Sequence, residues 1–242
     1  MASNSLPLPL YVLLSFLLLP SISNGVCFEF STQFNTSDNQ DNTNKANTDC
    51  KLRELNHYIL VLRWMPSICT METPTGICLT PVPTHIGIYA LLPMDQYGDP
   101  LEYCGQDFDL FDNPSSDPDT QHFAQEWRKH GSCSGLSQAE YYRTGLELHK
   151  KENLLERLKD LGFGPHPTKG YNPSEIIAAY YEKYKVVMRL SCVRKSSSPL
   201  VEQIAEFHFK VNKETKTIES FAEKLNLCET TNAMFPDKYY SD

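Results

Sequence analysis

The sequence lacks a positive balance of charge. Lys and Arg number 22 against 30 Asp and Glu, which gives a formal net charge of −8 at pH 7. Proteins that bind nucleic acid through general electrostatic attraction carry the opposite sign, so this class is excluded and a polyanion would need a local site. Protonating all 7 histidines would raise the formal charge from −8 to −1, so an acidic compartment would remove most of the repulsion.

Charge is also missing from the N-terminus, because residues 1–25 contain no Asp, Glu, Lys or Arg. Their apolar run from Leu8 to Leu19 is shorter than the roughly 20 residues that cross a bilayer, and Pro20 ends it. This pattern predicts a cleaved secretory signal peptide. No later segment is long and apolar enough to span a membrane, so we expect a secreted, extracellular or vacuolar protein without membrane association.

Cysteine pairs of the CxxC type, which are typical of structural zinc sites, are absent. All 8 cysteines follow the signal peptide, and an even number in a secretory context predicts four disulfides. Cys27, Cys50, Cys69 and Cys78 could pair in sequence order. Since four cysteines allow three connectivities, their pairing stays open.

The rest of the chain shows no internal repeat and no second domain. Residues 26–55 are rich in Asn, Asp, Thr and Ser and form a predicted polar arm, in which Asn35 is a glycosylation acceptor. Residues 56–242 are long enough to bury one core. Apolar branched runs predict strands at 58–64, 84–92, 186–193 and 204–211. Helical patterns predict helices at 118–130, 154–161 and 173–184. A further helix is predicted to begin at 141, after the capping box of Ser137 and Glu140.

One predicted helix carries the chemistry. Glu126, Lys129 and His130 stand at i, i+3 and i+4, so a carboxylate, an ammonium and an imidazole share one surface. Such a surface fits a phosphate ester, because Lys129 can neutralise phosphoryl oxygens while His130 moves a proton and Glu126 positions a partner. The alternative is a solvated helix face whose cations complement the helix dipole.

Other positions of the same helix bear on packing and on metal binding. Phe123 and Trp127 are four residues apart and are expected to anchor a neighbouring stripe in the core. His122, Glu126 and His130 also recur every four residues, but i to i+8 spans about 12 Å of helix axis, too far for one ion. We therefore expect neither a metal nor a cofactor.

The segment from Glu126 to Cys133, Glu-Trp-Arg-Lys-His-Gly-Ser-Cys, closely resembles the second active-site segment of the T2 ribonucleases. Residues 58–69 are similar to the core strand that opens that domain, and 84–89 stand where the first active-site segment is expected. The resemblance covers about residues 56–228. It implies an α+β T2 ribonuclease fold, in which a central antiparallel sheet is packed by several helices and held by disulfides, Cys104 to Cys133 and Cys192 to Cys228.

The resemblance also implies an activity. T2 ribonucleases cleave single-stranded RNA without metal, by attack of the ribose 2′-hydroxyl that gives a 2′,3′-cyclic phosphate. Glu126, Lys129 and His130 match the family's catalytic residues by position. Gln125 stands where many members have a further, phosphate-binding histidine, so it is a candidate substrate-binding residue with weakened affinity.

The first active-site segment departs from the family pattern. A catalytic histidine should directly precede the glycine, but Ile86 precedes Gly87 and the imidazole lies one residue earlier, at His85. Successive strand residues point to opposite faces, so this slip turns His85 away from the phosphate. A bulge next to Gly87 could return it as a catalytic residue. The alternative is a strand histidine that faces elsewhere.

Tyr89 takes the position of the family's base-stacking tryptophan and could stack on a base. The alternative is an ordinary strand aromatic. Asp95 and Tyr97 are further candidates for base contacts.

The whole chain has two interpretations. The first is a secreted endoribonuclease with weakened or lost activity. The second is a T2-like protein for RNA binding, storage or recognition without catalysis, and Ile86 and Gln125 favour this second interpretation. The sequence does not fix the oligomeric state, and a monomer is expected.

Overall fold

A computed structural model describes residues 53–69, 81–104, 118–195, 198–223 and 226–239, all in one unit that begins at Arg53. The predicted signal peptide, most of the polar arm with Asn35, and Cys27, Cys50 and Cys78 lie outside these residues. None of the described helices has the length and apolar character needed to cross a membrane. The predicted domain boundaries remain predictions.

Seven strands and five helices make up the described part. The strands are β1 (Leu55–Trp64), β2 (Ile86–Asp95), β3 (Gly170–Tyr171), β4 (Arg189–Lys195), β5 (Ser198–Asn212), β6 (Ile218–Glu219) and β7 (Ala233–Met234). The helices are α1 (Met65–Ile68), α2 (Pro118–Lys129), α3 (Gln138–Glu152), α4 (Leu154–Asp160) and α5 (Pro173–Tyr184), and a 3-10 turn covers Gly131–Cys133.

The strands form one sheet in the order β2-β1-β5-β7-β3, and β4 and β6 also pair with β5. All pairs are antiparallel except β5 with β7, where Gln203 lies beside Met234 in parallel. The predicted α+β class with a central, mainly antiparallel sheet is therefore confirmed. The sequence does not predict the strands β3, β6 and β7, because a strand of two residues is too short to show an alternation of apolar and polar side chains.

Strand β1 is buried on both faces, which explains its continuous apolar run. Its Tyr58, Leu60 and Leu62 belong to a first core cluster, which also receives apolar side chains from α2, α3, α4 and α5. The alternate residues Ile59 and Val61 belong to a second, smaller cluster on the other face. The helices therefore pack on the sheet face that carries the first cluster.

The predicted helix starts are confirmed in their capping geometry. The Ser137 side chain accepts from the Glu140 N–H while the Glu140 carboxylate accepts from the Ser137 N–H, so the capping box of α3 is complete. Asn172 caps α5 by accepting from the Ser174 N–H at 3.0 Å. These caps fix where α3 and α5 begin.

Two disulfides join described residues, Cys104 to Cys133 and Cys192 to Cys228, as the resemblance implied. The second links β4 to the segment before β7. Cys69 is also disulfide-bonded. Cys27, Cys50 and Cys78, whose pairing the sequence leaves open, lie outside the described part of the chain.

Candidate active site

The C-terminal half of α2 holds the three polar side chains of the predicted catalytic surface. Glu126 and His130 are one turn apart and only 8% and 5% exposed. The His130 backbone N–H donates to the Glu126 carbonyl at 2.9 Å, which continues the helical pattern to its last residue. Lys129 is partly exposed, so its ammonium can stay in water while its stem packs. The three groups therefore lie together at the end of one helix.

Trp127 anchors this helix end in the core, as predicted. Its indole packs edge-on against Tyr141, with ring centroids 5.6 Å apart. Phe123 differs from the prediction, because it is 47% exposed and packs against Tyr142 at the surface. One turn of helix separates the two positions, and only Trp127 faces the first core cluster.

Residues 101–104 form a segment that lies across the end of α2. Cys104 is joined to Cys133 in the 3-10 turn, with a Cα–Cα distance of 4.9 Å. The Tyr103 N–H donates to the Lys129 carbonyl at 2.8 Å, which satisfies one of the free carbonyls of the last helical turn. A covalent bond and a backbone hydrogen bond thus hold this segment against the catalytic surface.

Glu102, within this segment, places its carboxylate on the catalytic surface. Its Oε1 lies 3.2 Å from Nζ of Lys129 and 4.0 Å from Nε2 of His130. The hydrogen bond from Lys129 to Glu102 raises the pKa of the ammonium. Sequence reasoning missed this residue, and the only available signal was its position two residues before Cys104.

The His130 ring lies between two oxygens. Its Nδ1 is 3.4 Å from the Leu101 carbonyl oxygen, and because a carbonyl only accepts, this contact requires a proton on Nδ1. The other nitrogen, Nε2, is the one nearest the Glu102 carboxylate. Nε2 is therefore the position through which His130 can give or take a proton.

One carboxylate oxygen of Glu126 accepts no hydrogen bond from the described residues. Its Oε2 is buried and finds no hydrogen-bond donor among the residues that the structure describes. Buried polar atoms are nearly always hydrogen-bonded, and an unpartnered one carries a free-energy cost of about 1–3 kcal/mol. A bound hydroxyl group or a protonated phosphoryl oxygen could satisfy it.

The first active-site segment has regular pairing at Gly87. Ile86, Gly87 and Ile88 lie opposite Trp64, Arg63 and Leu62, and the bulge falls further on, at Tyr89. The bulge that could have returned His85 to the site is therefore not found next to Gly87, and the alternative of a strand histidine that faces elsewhere fits this pairing. A register shift leaves no trace in the local sequence unless glycine marks it, and here the extra residue is a tyrosine.

The structure leaves the two residues before Gly87 in opposite environments. Ile86 is buried in the first core cluster, whereas His85 precedes β2 and is exposed. In the described part of the chain, His85 makes no hydrogen bond or ion pair with Glu126, Lys129 or His130. The site thus gathers the helix residues without His85, whose catalytic role remains a prediction.

Tyr89 is half-buried and packs with the second core cluster, not with the cluster that contains Trp127. The Arg63 guanidinium lies 3.1 Å from the centre of its ring, and Arg63 also pairs with Glu206 at 2.6 Å. One face of the ring is therefore covered by a cation. This placement favours the packing role over the predicted base-stacking role.

Of the remaining candidates, Gln125 is exposed to solvent and Asp95 is buried. Gln125 is exposed on α2, in reach of a ligand at the surface. Asp95 is fully buried: it accepts from Arg53 at 2.6 Å and from the backbone N–H groups of Tyr97 and Asp99. Burial alone would raise the pKa of Asp95, but these bonds lower it. Asp95 therefore stabilises a turn, and its side chain is committed away from a base.

Helix α3 reaches β2 with two polar side chains. The Tyr141 hydroxyl donates to the Leu91 carbonyl at 2.9 Å, and Nε2 of His149 lies 2.8 Å from the Ile86 carbonyl. Since the carbonyl only accepts, this nitrogen of His149 carries a proton. The backbone at Ile86 is thereby held from the helix side.

Comparison with known proteins identifies a family and several relatives of this chain. The Ribonuclease T2 family model matches residues 55–221, about two thirds of the chain. A ribonuclease-like storage protein of Panax ginseng is 27% identical over 163 residues, which cover 60% of this chain and 66% of that protein. Intracellular ribonuclease LX of Solanum lycopersicum is 44% identical over 52 residues, 22% of each chain. The chain thus matches less than two thirds of these relatives' lengths.

Solved structures share the fold across the domain. RNase NT, solved in complex with 5′-AMP, is 23% identical with a TM-score of 0.63, over 76% of this chain and 98% of that chain. An RNase-related protein from Calystegia sepium is 22% identical with a TM-score of 0.60 over the same shares. At this identity the similarity shows the fold, while the family model covers both active-site segments. The chain belongs to the ribonuclease T2 family.

Proposed function

We propose that this protein binds single-stranded RNA at the end of α2 and cleaves it by the T2 reaction, at a rate reduced by the loss of one proton-transfer group. The observation that carries the proposal is the assembly of Glu126, Lys129 and His130 on one surface, with His130 and Glu126 buried. Buried acid-base groups next to an exposed cation fit a phosphodiester better than a purely solvated helix face does.

In the proposed reaction the ribose 2′-oxygen attacks the adjacent phosphorus and the bond from phosphorus to the 5′-oxygen breaks. His130, protonated at Nε2, gives its proton to the leaving 5′-oxygen, and Lys129 compensates charge on the phosphoryl oxygens. Glu126, one turn before His130 on the same helix, helps to position the phosphoryl group. The products are a 2′,3′-cyclic phosphate and a 5′-hydroxyl end.

The proton of the 2′-hydroxyl has no imidazole to receive it at the family position, where Ile86 is buried in the core. Solvent can take this proton, but a positioned general base contributes about 100- to 10,000-fold. We therefore expect cleavage slower than that of a T2 enzyme with two histidines, by a factor in that range.

A second candidate is a protein that keeps the fold for storage or recognition and does not cleave RNA. Two observations favour it: the buried Ile86, and the relative in Panax ginseng that is named a ribonuclease-like storage protein. The retained Lys129 and His130 would then bind phosphate groups without turnover.

The proposed route of the protein is the secretory pathway, with cleavage of residues 1–25, glycosylation at Asn35 and an extracellular or vacuolar destination. Disulfides at Cys104–Cys133 and Cys192–Cys228 support an oxidising compartment. Edman sequencing and glycosidase treatment of the protein recovered from secretory cells would test the cleavage site and the glycan.

The deciding experiment is RNA cleavage by the purified mature protein at about pH 5 and pH 7 with EDTA present, beside His130→Ala and His85→Ala. Cyclic-phosphate products that disappear only in His130→Ala support the proposal. Loss of activity in His85→Ala as well would make His85 the second proton-transfer group.

A different outcome would select the alternative. If the unmodified protein and His130→Ala yield equal background products, catalysis by this site is contradicted. RNA binding that persists in the unmodified protein and weakens in Lys129→Ala would then support a binding or storage role.

A further inference from the structure

We propose that Glu102 is an internal occupant of the phosphate position: its carboxylate fills the place between Lys129 and His130 that an RNA phosphate must take, so that phosphate has to displace it. This inference rests on the proposed function, because it assumes that Lys129 and His130 bind phosphate. It adds a residue that sets the affinity of the site for its substrate's phosphate group.

The distances define the competition. Oε1 of Glu102 is 3.2 Å from Nζ of Lys129 and 4.0 Å from Nε2 of His130. A phosphoryl oxygen bound by a cationic donor lies about 2.7–2.9 Å from it. An oxygen that accepts from both Lys129 and His130 would therefore overlap the region that Oε1 now holds. Carboxylate and phosphate cannot share this position, because both are anions and both need the same donors.

A separate role for Glu102 as the missing general base is disfavoured by the same geometry. The base and the acid of this reaction act on two oxygens on opposite sides of the phosphorus, so a phosphoryl group must fit between them. The 4.0 Å between Glu102 and His130 leaves no room for that group. Glu102 lies on the same side of the site as His130 and can only make way for the substrate.

Displacement requires the side chain to rotate while the backbone stays. The backbone on either side is held by the Leu101 carbonyl at His130, the Tyr103 N–H at Lys129 and the disulfide of Cys104. The Glu102 side chain itself is 36% exposed, so rotamers directed into water are open to it. The carboxylate can therefore leave and return without unfolding the segment.

Phosphate binding isolates this step from RNA cleavage. Inorganic phosphate is titrated at pH 7 into the unmodified protein and into Glu102→Gln, and the imidazole proton signals of His130 are followed by NMR. The matched control is Glu147→Gln, which removes an exposed carboxylate on α3 that has no hydrogen bond or ion pair in the described part of the chain. Lys129→Ala tests whether the signal reports the site.

The expected result is phosphate binding about two- to fivefold tighter in Glu102→Gln than in the unmodified protein, the range for one surface charge partner, with no change in Glu147→Gln. Equal or weaker phosphate binding in Glu102→Gln would overturn the inference. If RNA were still cleaved through His130, the proposed function would survive that failure. If phosphate moves the His130 signals in neither protein, the inference and the phosphate site are both overturned. The same holds if the movement of these signals is unchanged in Lys129→Ala.

Discussion

The indole of Trp127 lies directly against the α-carbon of Gly131: a Cβ atom at Gly131 would be 2.2 Å from Cε3 of the ring. This contact sets the path of the chain as it leaves α2. Cys133, two residues further on, meets Cys104 across that path. The position of the 101–104 segment over Lys129 and His130 therefore depends on the absence of a side chain at Gly131.

Gly131→Ala is expected to destabilise the fold. Its methyl group would overlap the Trp127 ring, and overpacking of this kind costs about 1–3 kcal/mol, at the upper end here because the ring is buried. The measurement is the free energy of unfolding in urea. Gly145→Ala is the matched control: nothing lies within 4 Å of its Cβ position in α3, so a helical alanine should gain about 0.5–1 kcal/mol. A neutral Gly131→Ala would contradict the close contact.

Ile86→His is expected to raise RNA cleavage. It places an imidazole directly before Gly87, and a regained proton-transfer group contributes about 100- to 10,000-fold. The buried site makes the substitution destabilising, by about 1–3 kcal/mol, so the thermal midpoint is measured beside the rate of cyclic-phosphate formation. Ile88→His, two residues along on the same strand face, is the control and should leave the rate unchanged. Equal rates in both variants would count against the position of Ile86 as the missing catalytic one.

Glu206 is expected to make stability depend on acid pH. Burial alone would raise its pKa, but hydrogen bonds and charges from His208 and Arg63 lower it to about 2. This folded-state pKa lies below the unfolded value of about 4.3, so the stabilisation is complete above that value and is lost as the pH falls towards 2. The free energy of unfolding should therefore drop by up to about 3 kcal/mol over this range from Glu206 alone.

Glu206→Gln separates this contribution from general acid effects. The variant should be less stable by about 2–3 kcal/mol at pH 7 and should approach the unmodified protein near pH 2. Denaturant unfolding at pH 7, 4.5 and 2.5 gives the comparison. Glu147→Gln, an exposed carboxylate, should instead differ from the unmodified protein by the same small amount at every pH. A Glu206→Gln difference that does not shrink in acid would show that its pairing is unimportant.

Local sequence patterns predicted several features of this structure. The i, i+3, i+4 spacing placed Glu126, Lys129 and His130 on one helix end, and the capping box of Ser137 and Glu140 fixed the start of α3. These features depend on residues within one or two turns of each other, so the chain encodes them locally. The disulfide pairs, in contrast, came from the family resemblance.

The features that the sequence did not reveal depend on long-range contacts. Glu102 reaches the site because Cys104 is bonded to a residue 29 positions away and the Tyr103 N–H donates to the Lys129 carbonyl. The bulge at Tyr89 follows from how β2 pairs with β1, and Arg63 covers the tyrosine ring from that neighbouring strand. No periodicity within a single segment records which side chain a partner strand brings opposite it.

Strand β2 ends the sheet on one side, and α3 lies along that end with Tyr141 and His149 bonded to the Leu91 and Ile86 carbonyls. An open strand of ten residues would offer another chain a template for intermolecular pairing. With two of its acceptors already taken and a helix beside it, β2 cannot readily recruit a strand from a second molecule. On the other side of β5 the sheet is bordered by β4 and β6, and the Leu227 N–H donates to the Leu190 carbonyl of β4 at 2.9 Å. The β2 border of the sheet is thus protected against self-association into β-rich aggregates.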